Sequence, residues 1–117
     1  MSENPRNTHP DPSAAPLVTR APGPQAWEES DVAGFTTAAL HTDASSGEST
    51  MLMKVAPGAY AGSHAHDDVE HIYILSGSFS DDWGTYGPGD YVRREPGTMH
   101  AAWSDEGATV LLHYRGH

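Results

Sequence analysis

The chain contains no cysteine. That excludes disulfides, thiolate metal ligands and any mechanism with a cysteine nucleophile. Positive charge is scarce as well, with six Lys and Arg against sixteen Asp and Glu and a net charge of −10. A surface of that sign repels phosphate backbones and anionic lipid, which argues against nucleic acid and membrane as partners. No apolar run approaches the ~20 residues that cross a bilayer. The opening segment MSENPRNTHPDP has neither the basic region nor the apolar stretch of a secretory signal. The expected location is therefore cytoplasmic.

What is present divides into two materials. Residues 1–26 hold six of the nine prolines and few large apolar side chains, with Leu17-Val18 the one apolar pair. This composition cannot bury enough surface to offset chain entropy, so the segment is expected to be a disordered tail. The tail is electrically balanced, Glu3 and Asp11 against Arg6 and Arg20, so the whole −10 falls on residues 27–117. A chain of 117 residues has room for one domain, expected to span 27–117.

Within that body, turn-forming pairs recur at short intervals: Pro57-Gly58, Ser76-Gly77, Asp81 to Gly84, Gly87 to Gly89, Pro96-Gly97 and Glu106-Gly107. Between them lie β-branched and aromatic runs, and no segment carries a helical period. The pattern predicts eight strands, at 35–40, 50–56, 60–66, 70–75, 77–80, 90–94, 99–104 and 108–115, in an all-β antiparallel jelly roll. A body of about 90 residues is small for a self-sufficient core. Metal binding and edge-to-edge homodimerisation are the expected supplements.

The chemistry concentrates in one stretch. His64 and His66 are two apart and project from the same face of a strand. After the acidic turn Asp67-Asp68, Glu70 opens the run EHIYIL, in which Glu70, Ile72 and Ile74 share one parity. Two antiparallel neighbours would bring these three donors to one point, and His100, after the Pro96-Gly97 turn, supplies a fourth. Imidazoles with a carboxylate suit Fe2+, Mn2+, Ni2+ or Zn2+ rather than Ca2+ or Mg2+. His64, His66, Glu70 and His100 are thus the candidate metal ligands, with Glu70 also the candidate general base.

The spacing from Gly58 to Gly77, G-x5-H-x-H-x3-E-x6-G, resembles the first signature of the cupin superfamily. The segment GDYVRREPGTMH, Gly89 to His100, resembles the second, with six residues instead of five before the proline and Ser104 where an asparagine is common. Residues 50–115 are similar to the cupin domain of ChrR-type anti-sigma factors and to small cupin dioxygenases. The resemblance implies a single cupin β-barrel that binds a divalent transition metal. In those anti-sigma factors a separate N-terminal domain holds the sigma factor. Two kinds of function are therefore carried forward. One is a dioxygenase-type oxidoreductase on a small-molecule substrate, with Fe2+. The other is a zinc-binding sensor of the ChrR type, or a non-redox cupin isomerase, lyase or polyketide cyclase.

Other residues receive lesser roles. His71 faces away from Glu70 by parity, and His113, in the last strand, is the spare histidine placed to support the ligands from behind. Arg93-Arg94 reads as a solvated edge whose inward member is available to anchor a substrate carboxylate. Tyr60, Trp83 and Trp103 lie near strand ends and are candidates for a pocket mouth, and Met99 for the cavity wall.

Overall fold

The computed structural model describes residues 15–116. The first fourteen residues of the expected tail lie outside the described residues. Residues 15–26 are almost wholly exposed, with a 3-10 turn at Pro24–Ala26 and a hydrogen bond from the Thr19 hydroxyl to the Leu40 carbonyl at 2.7 Å. Trp27 then lies under the Lys54 ammonium, 4.2 Å from the ring centroid, a cation–π contact on the outer side of the sheet.

Ten strands follow: β1 Glu28–Glu29, β2 Phe35–Asp43, β3 Glu48–Val55, β4 Tyr60–His64, β5 Glu70–Gly77, β6 Phe79–Asp81, β7 Gly84–Tyr86, β8 Tyr91–Arg94, β9 His100–Trp103 and β10 Ala108–Tyr114. They form two antiparallel sheets, ordered β1-β2-β3-β10-β5-β8 and β4-β9-β6-β7. The eight expected strands are all present with shifted ends. The additional ones are β1 and β7, each too short to show an alternating pattern. β7 pairs with β6 across the Asp81 turn, where the sequence showed only turn formers. β4 stops at His64, so His66 sits beyond the strand rather than in it.

Alternation within the strands builds the core. Ile72, Ile74, Val110 and Leu112 point inward from the paired strands β5 and β10, joined by Phe35 and Val55, and meet Ala61, Phe79 and Ala102 of the smaller sheet. Each large side chain buried there contributes about 1.5–3 kcal/mol. Alanine at Ala61 and Ala102 keeps the inner face of β4 and β9 low, which leaves space next to the histidines they carry.

Charge also ties the two sheets together. Asp81, at the end of β6, accepts hydrogen bonds on Oδ1 from the Trp83 and Gly84 amides and the Tyr86 hydroxyl. Its Oδ2 accepts from Arg94 Nη1 of β8, in the other sheet, at 2.5 Å. Burial pushes the Asp81 carboxyl up, but hydrogen bonds from Arg94, the Trp83 amide and Tyr86 outweigh it and hold the group below its usual value. The Tyr86 hydroxyl is pushed up to about 12 by burial and by Asp81.

Gly77 ends β5 with φ of 75°. A Cβ there would collide with the Gly107 carbonyl and come within 2.8 Å of the Ala108 Cα. Gly77→Ala should therefore cost roughly 3 kcal/mol, read as a fall in Tm of about 10 °C or more by calorimetry. For Asp81 the folded-state pKa lies below the unfolded value of 3.8. Its stabilisation is then complete above about pH 4 and is lost as the pH falls through the lowered folded value. Asp81→Asn should be less stable than wild type at pH 7 by about 3–5 kcal/mol, and the gap should narrow in urea titrations taken down to pH 2.

Candidate metal centre

Three histidines from two segments meet at the inner end of the small sheet. β4 and β9 pair so that His64 lies directly opposite His100, after an irregularity between Ala61 and His64. His66 is brought in by the loop after β4, whose carbonyl at His66 accepts from the Gly97 amide at 2.8 Å. Gly97 has φ of 79° and follows Pro96 in a turn closed by the Thr98 amide on the Glu95 carbonyl. Proline presets the first dihedral and glycine accepts the positive φ. The same turn thus orients His100 and anchors the backbone of His66.

The donor atoms of His64, His66 and His100 all lie within 4.8 Å of one another. His64 Nδ1 is 2.8 Å from the Gly62 carbonyl and His100 Nδ1 is 3.0 Å from the Thr98 carbonyl. A carbonyl only accepts, so both Nδ1 atoms carry hydrogen and both Nε2 lone pairs are free for an ion. Burial lowers the His100 pKa, which favours the neutral, ligating form. The donor set fits a divalent transition metal, the coarse expectation from the sequence.

Glu70 stands beside this cluster, outside the group of three. Its Oε2 is 3.6 Å from His66 Nε2 and accepts from the Tyr114 hydroxyl at 2.6 Å, while Oε1 accepts from Arg94 Nε at 3.0 Å. Glu70, Arg94 and Asp81 have side chains 6%, 5% and 1% exposed. Burial and the neighbouring Glu70 push the Tyr114 hydroxyl pKa up, so it remains a donor. Local sequence assigns Glu70 no partner, and Arg94 and Tyr114 fill that role. Their positions follow from the registers Glu70↔Arg94 and Tyr114↔Glu70, which come from strand pairing rather than local sequence.

A cavity of about 320 Å³ opens onto the three histidines, Glu70, Arg94 and Tyr114, with Met53, Phe79 and Leu112 among its apolar walls. A larger concavity of about 680 Å³, at the Gly77–Gly107 corner, contains no histidine. The chemistry lies in the smaller one.

Three lesser expectations are corrected. His113 does not support the ligands: it projects from the opposite face, where its Nδ1 meets the Thr50 hydroxyl at 2.8 Å and its ring lies beside His71. Tyr114, the next residue and hence the other face, takes the supporting position. Tyr60 and Trp103 stack on each other with centroids 5.8 Å apart, and together with Trp83 and Met99 they lie outside the cavity lining. Arg94 is buried in an ionic chain instead of lying at a solvated edge, while Arg93 is exposed and pairs with Glu95. His71 does face away, hydrogen-bonded to the Tyr91 hydroxyl at 2.5 Å.

Comparison with known proteins agrees with this architecture. The acetylacetone dioxygenase of Acinetobacter johnsonii superposes with a TM-score of 0.76 at 14% identity, over 93% of this chain and 80% of that one. An RmlC-like cupin from Shewanella frigidimarina gives 0.69 at 19% identity, covering 82% and 89%. The structure of Rhodobacter sphaeroides SigE in complex with the anti-sigma ChrR gives 0.65 at 21% identity over 75% of this chain. The match spans about half, 47%, of the chain in that complex. No curated protein matches the sequence significantly. The ChrR cupin-like domain family matches residues 18–117, nearly the whole of the described chain. With two antiparallel sheets enclosing a histidine cluster, the chain belongs to the ChrR cupin-like domain family.

Proposed function

We propose that this protein is a metal-dependent small-molecule enzyme of the dioxygenase type, with Fe2+ held by His64, His66 and His100. The observation that carries the reading is the convergence of three imidazoles, two with Nε2 freed by a carbonyl contact, on the wall of an apolar cavity. A structural zinc site is closed by four protein ligands, whereas three histidines beside a cavity leave coordination positions for substrate and dioxygen. An ion bound there would supply Lewis-acid and dioxygen chemistry.

The chain's own residues do the remainder. The apolar walls exclude water and confine the substrate. Glu70 serves as general base, its carboxylate aimed at the histidine end of the cavity by Arg94 and Tyr114, and takes a proton from the substrate on Oε2. Tyr114, as a hydroxyl donor, steadies the carboxylate before transfer. The reading includes a cytoplasmic homodimer, for which Tyr73, Leu75 and Tyr91 offer exposed apolar contacts on the outer face.

A second reading is a zinc-binding sensor of the ChrR kind, favoured by the family match over residues 18–117. Elemental analysis of untagged protein, purified without chelator or added metal, separates the two. Near-stoichiometric iron with oxygen uptake on a panel of small oxygenated substrates supports the enzyme. Tightly held zinc with no oxygen uptake supports the sensor.

His100→Ala should lose most bound metal and lower Tm, because site binding energy is folding energy. His71→Ala should leave metal stoichiometry unchanged. Glu70→Gln should retain metal in the same analysis while slowing turnover by about 10²–10⁴-fold; loss of metal in that variant would make Glu70 a ligand instead of a base.

A further inference from the structure

The turn between β1 and β2 lies between two cavities. Ser30, Val32 and Phe35 line both the cavity of about 320 Å³ that holds the histidines and the concavity of about 680 Å³ at the Gly77–Gly107 corner. Phe35 is 5% exposed and packed in the core, whereas Val32 is 37% exposed. The backbone of the turn is pinned. The Ser30 amide donates to the Phe35 carbonyl at 2.9 Å, and the Phe35 amide donates to the Val32 carbonyl at 3.1 Å. The Ser30 hydroxyl donates to the same Val32 carbonyl at 3.0 Å. Gly34 holds a φ of 85°, and a Cβ there would lie 2.5 Å from that of Ala59. With Phe35 fixed in the core and Ser30 committed to the turn, Val32 is the side chain left to set how far the two spaces are separated.

The walls indicate what kind of body reaches this turn. Met53, Ile72, Phe79 and Leu112 line the histidine cavity with apolar surface. Asp31, on the same wall, disfavours an anionic group near the turn. The larger concavity is walled mostly by small or apolar residues, with Glu29, Lys54 and Glu106 its charged members. The volume of about 320 Å³ lies at the small end of ligand pockets, so a ligand with its head at the histidines soon meets the far wall. We infer that Val32 is the residue that determines substrate length: it stops a linear, uncharged alkyl chain at the boundary of the two cavities, and a smaller side chain there admits the chain to the larger concavity. The inference rests on the proposed metal site and adds to it the class of substrate body and the residue that limits it.

The test is calorimetric titration of straight-chain alkyl hydroxamates, acetyl to dodecanoyl, into zinc-loaded protein whose metal content is measured in parallel. The hydroxamate head chelates the redox-silent ion and leaves the chain to probe the cavity. In wild type, affinity should rise about fourfold per added methylene up to one length and then stop rising. Val32→Ala should move that limit to longer chains, by about the two carbons that the substitution removes, while zinc remains stoichiometric. Val32→Phe should move it to shorter chains. A chain beyond the wild-type limit should shift the amide NMR signals of Gly77 and Gly107 in Val32→Ala and leave them unmoved in wild type, because those residues line only the larger concavity. Failure of the protein to take up zinc would overturn the metal reading and this inference with it. Stoichiometric zinc with the same limit in wild type and Val32→Ala, with no limit in wild type, or with no hydroxamate bound at any length overturns the Val32 assignment alone and leaves the metal site standing.

Discussion

The buried pairing of Arg94 with Asp81 and Glu70 is the interaction on which the rest of this structure depends. Three charged side chains are withdrawn from water, a cost of several kcal/mol per ion that only close, hydrogen-bonded partners offset. Asp81 meets it with four donors and Glu70 with two. The chain runs from the β6–β7 hairpin through β8 to β5 and β10, so one ionic path joins the small sheet to the large one. Removing one member would strand the others in a medium that cannot solvate them. The same path ends on Glu70 beside the histidines, so stability of the core and orientation of the site carboxylate rest on the same bonds.

The site is a consequence of how the two sheets are filled. The large sheet contributes isoleucine, valine and leucine to the core, the small one chiefly alanine with Phe79. Small side chains on β4 and β9 leave a cavity where those strands also carry His64 and His100. Fixing both Nδ1 hydrogens on backbone carbonyls orients the rings in advance, so little ordering remains when an ion arrives.

Much of this was legible along the chain. Alternation in EHIYIL places Glu70, Ile72 and Ile74 inside and His71, Tyr73 and Leu75 outside, because side chains in a strand follow a period of two wherever the strand is. Pro96-Gly97 marks a turn through local dihedral preference alone, and the spacing of His64, His66 and His100 marks the family. Short elements were not legible: a three-residue strand such as β7 is too brief to show a period. Nor was the length of β4, since its end at His64 is set by pairing with β9 and not by the residues that follow.

The sequence by itself determined the all-β class, the family, the histidine cluster and the acidic, cysteine-free character of the protein, because each follows from residue type and near spacing. Only the tertiary structure decided that Arg94 is an interior cation, that Tyr114 and not His113 stands behind the site, and that Glu70 is held between them. Those facts depend on which strand lies beside which and in what register. The insertion of β10 between β3 and β5 is a contact between residues some thirty to sixty-five positions apart. No local pattern encodes it, and a slip of one residue in that pairing would exchange His113 for Tyr114.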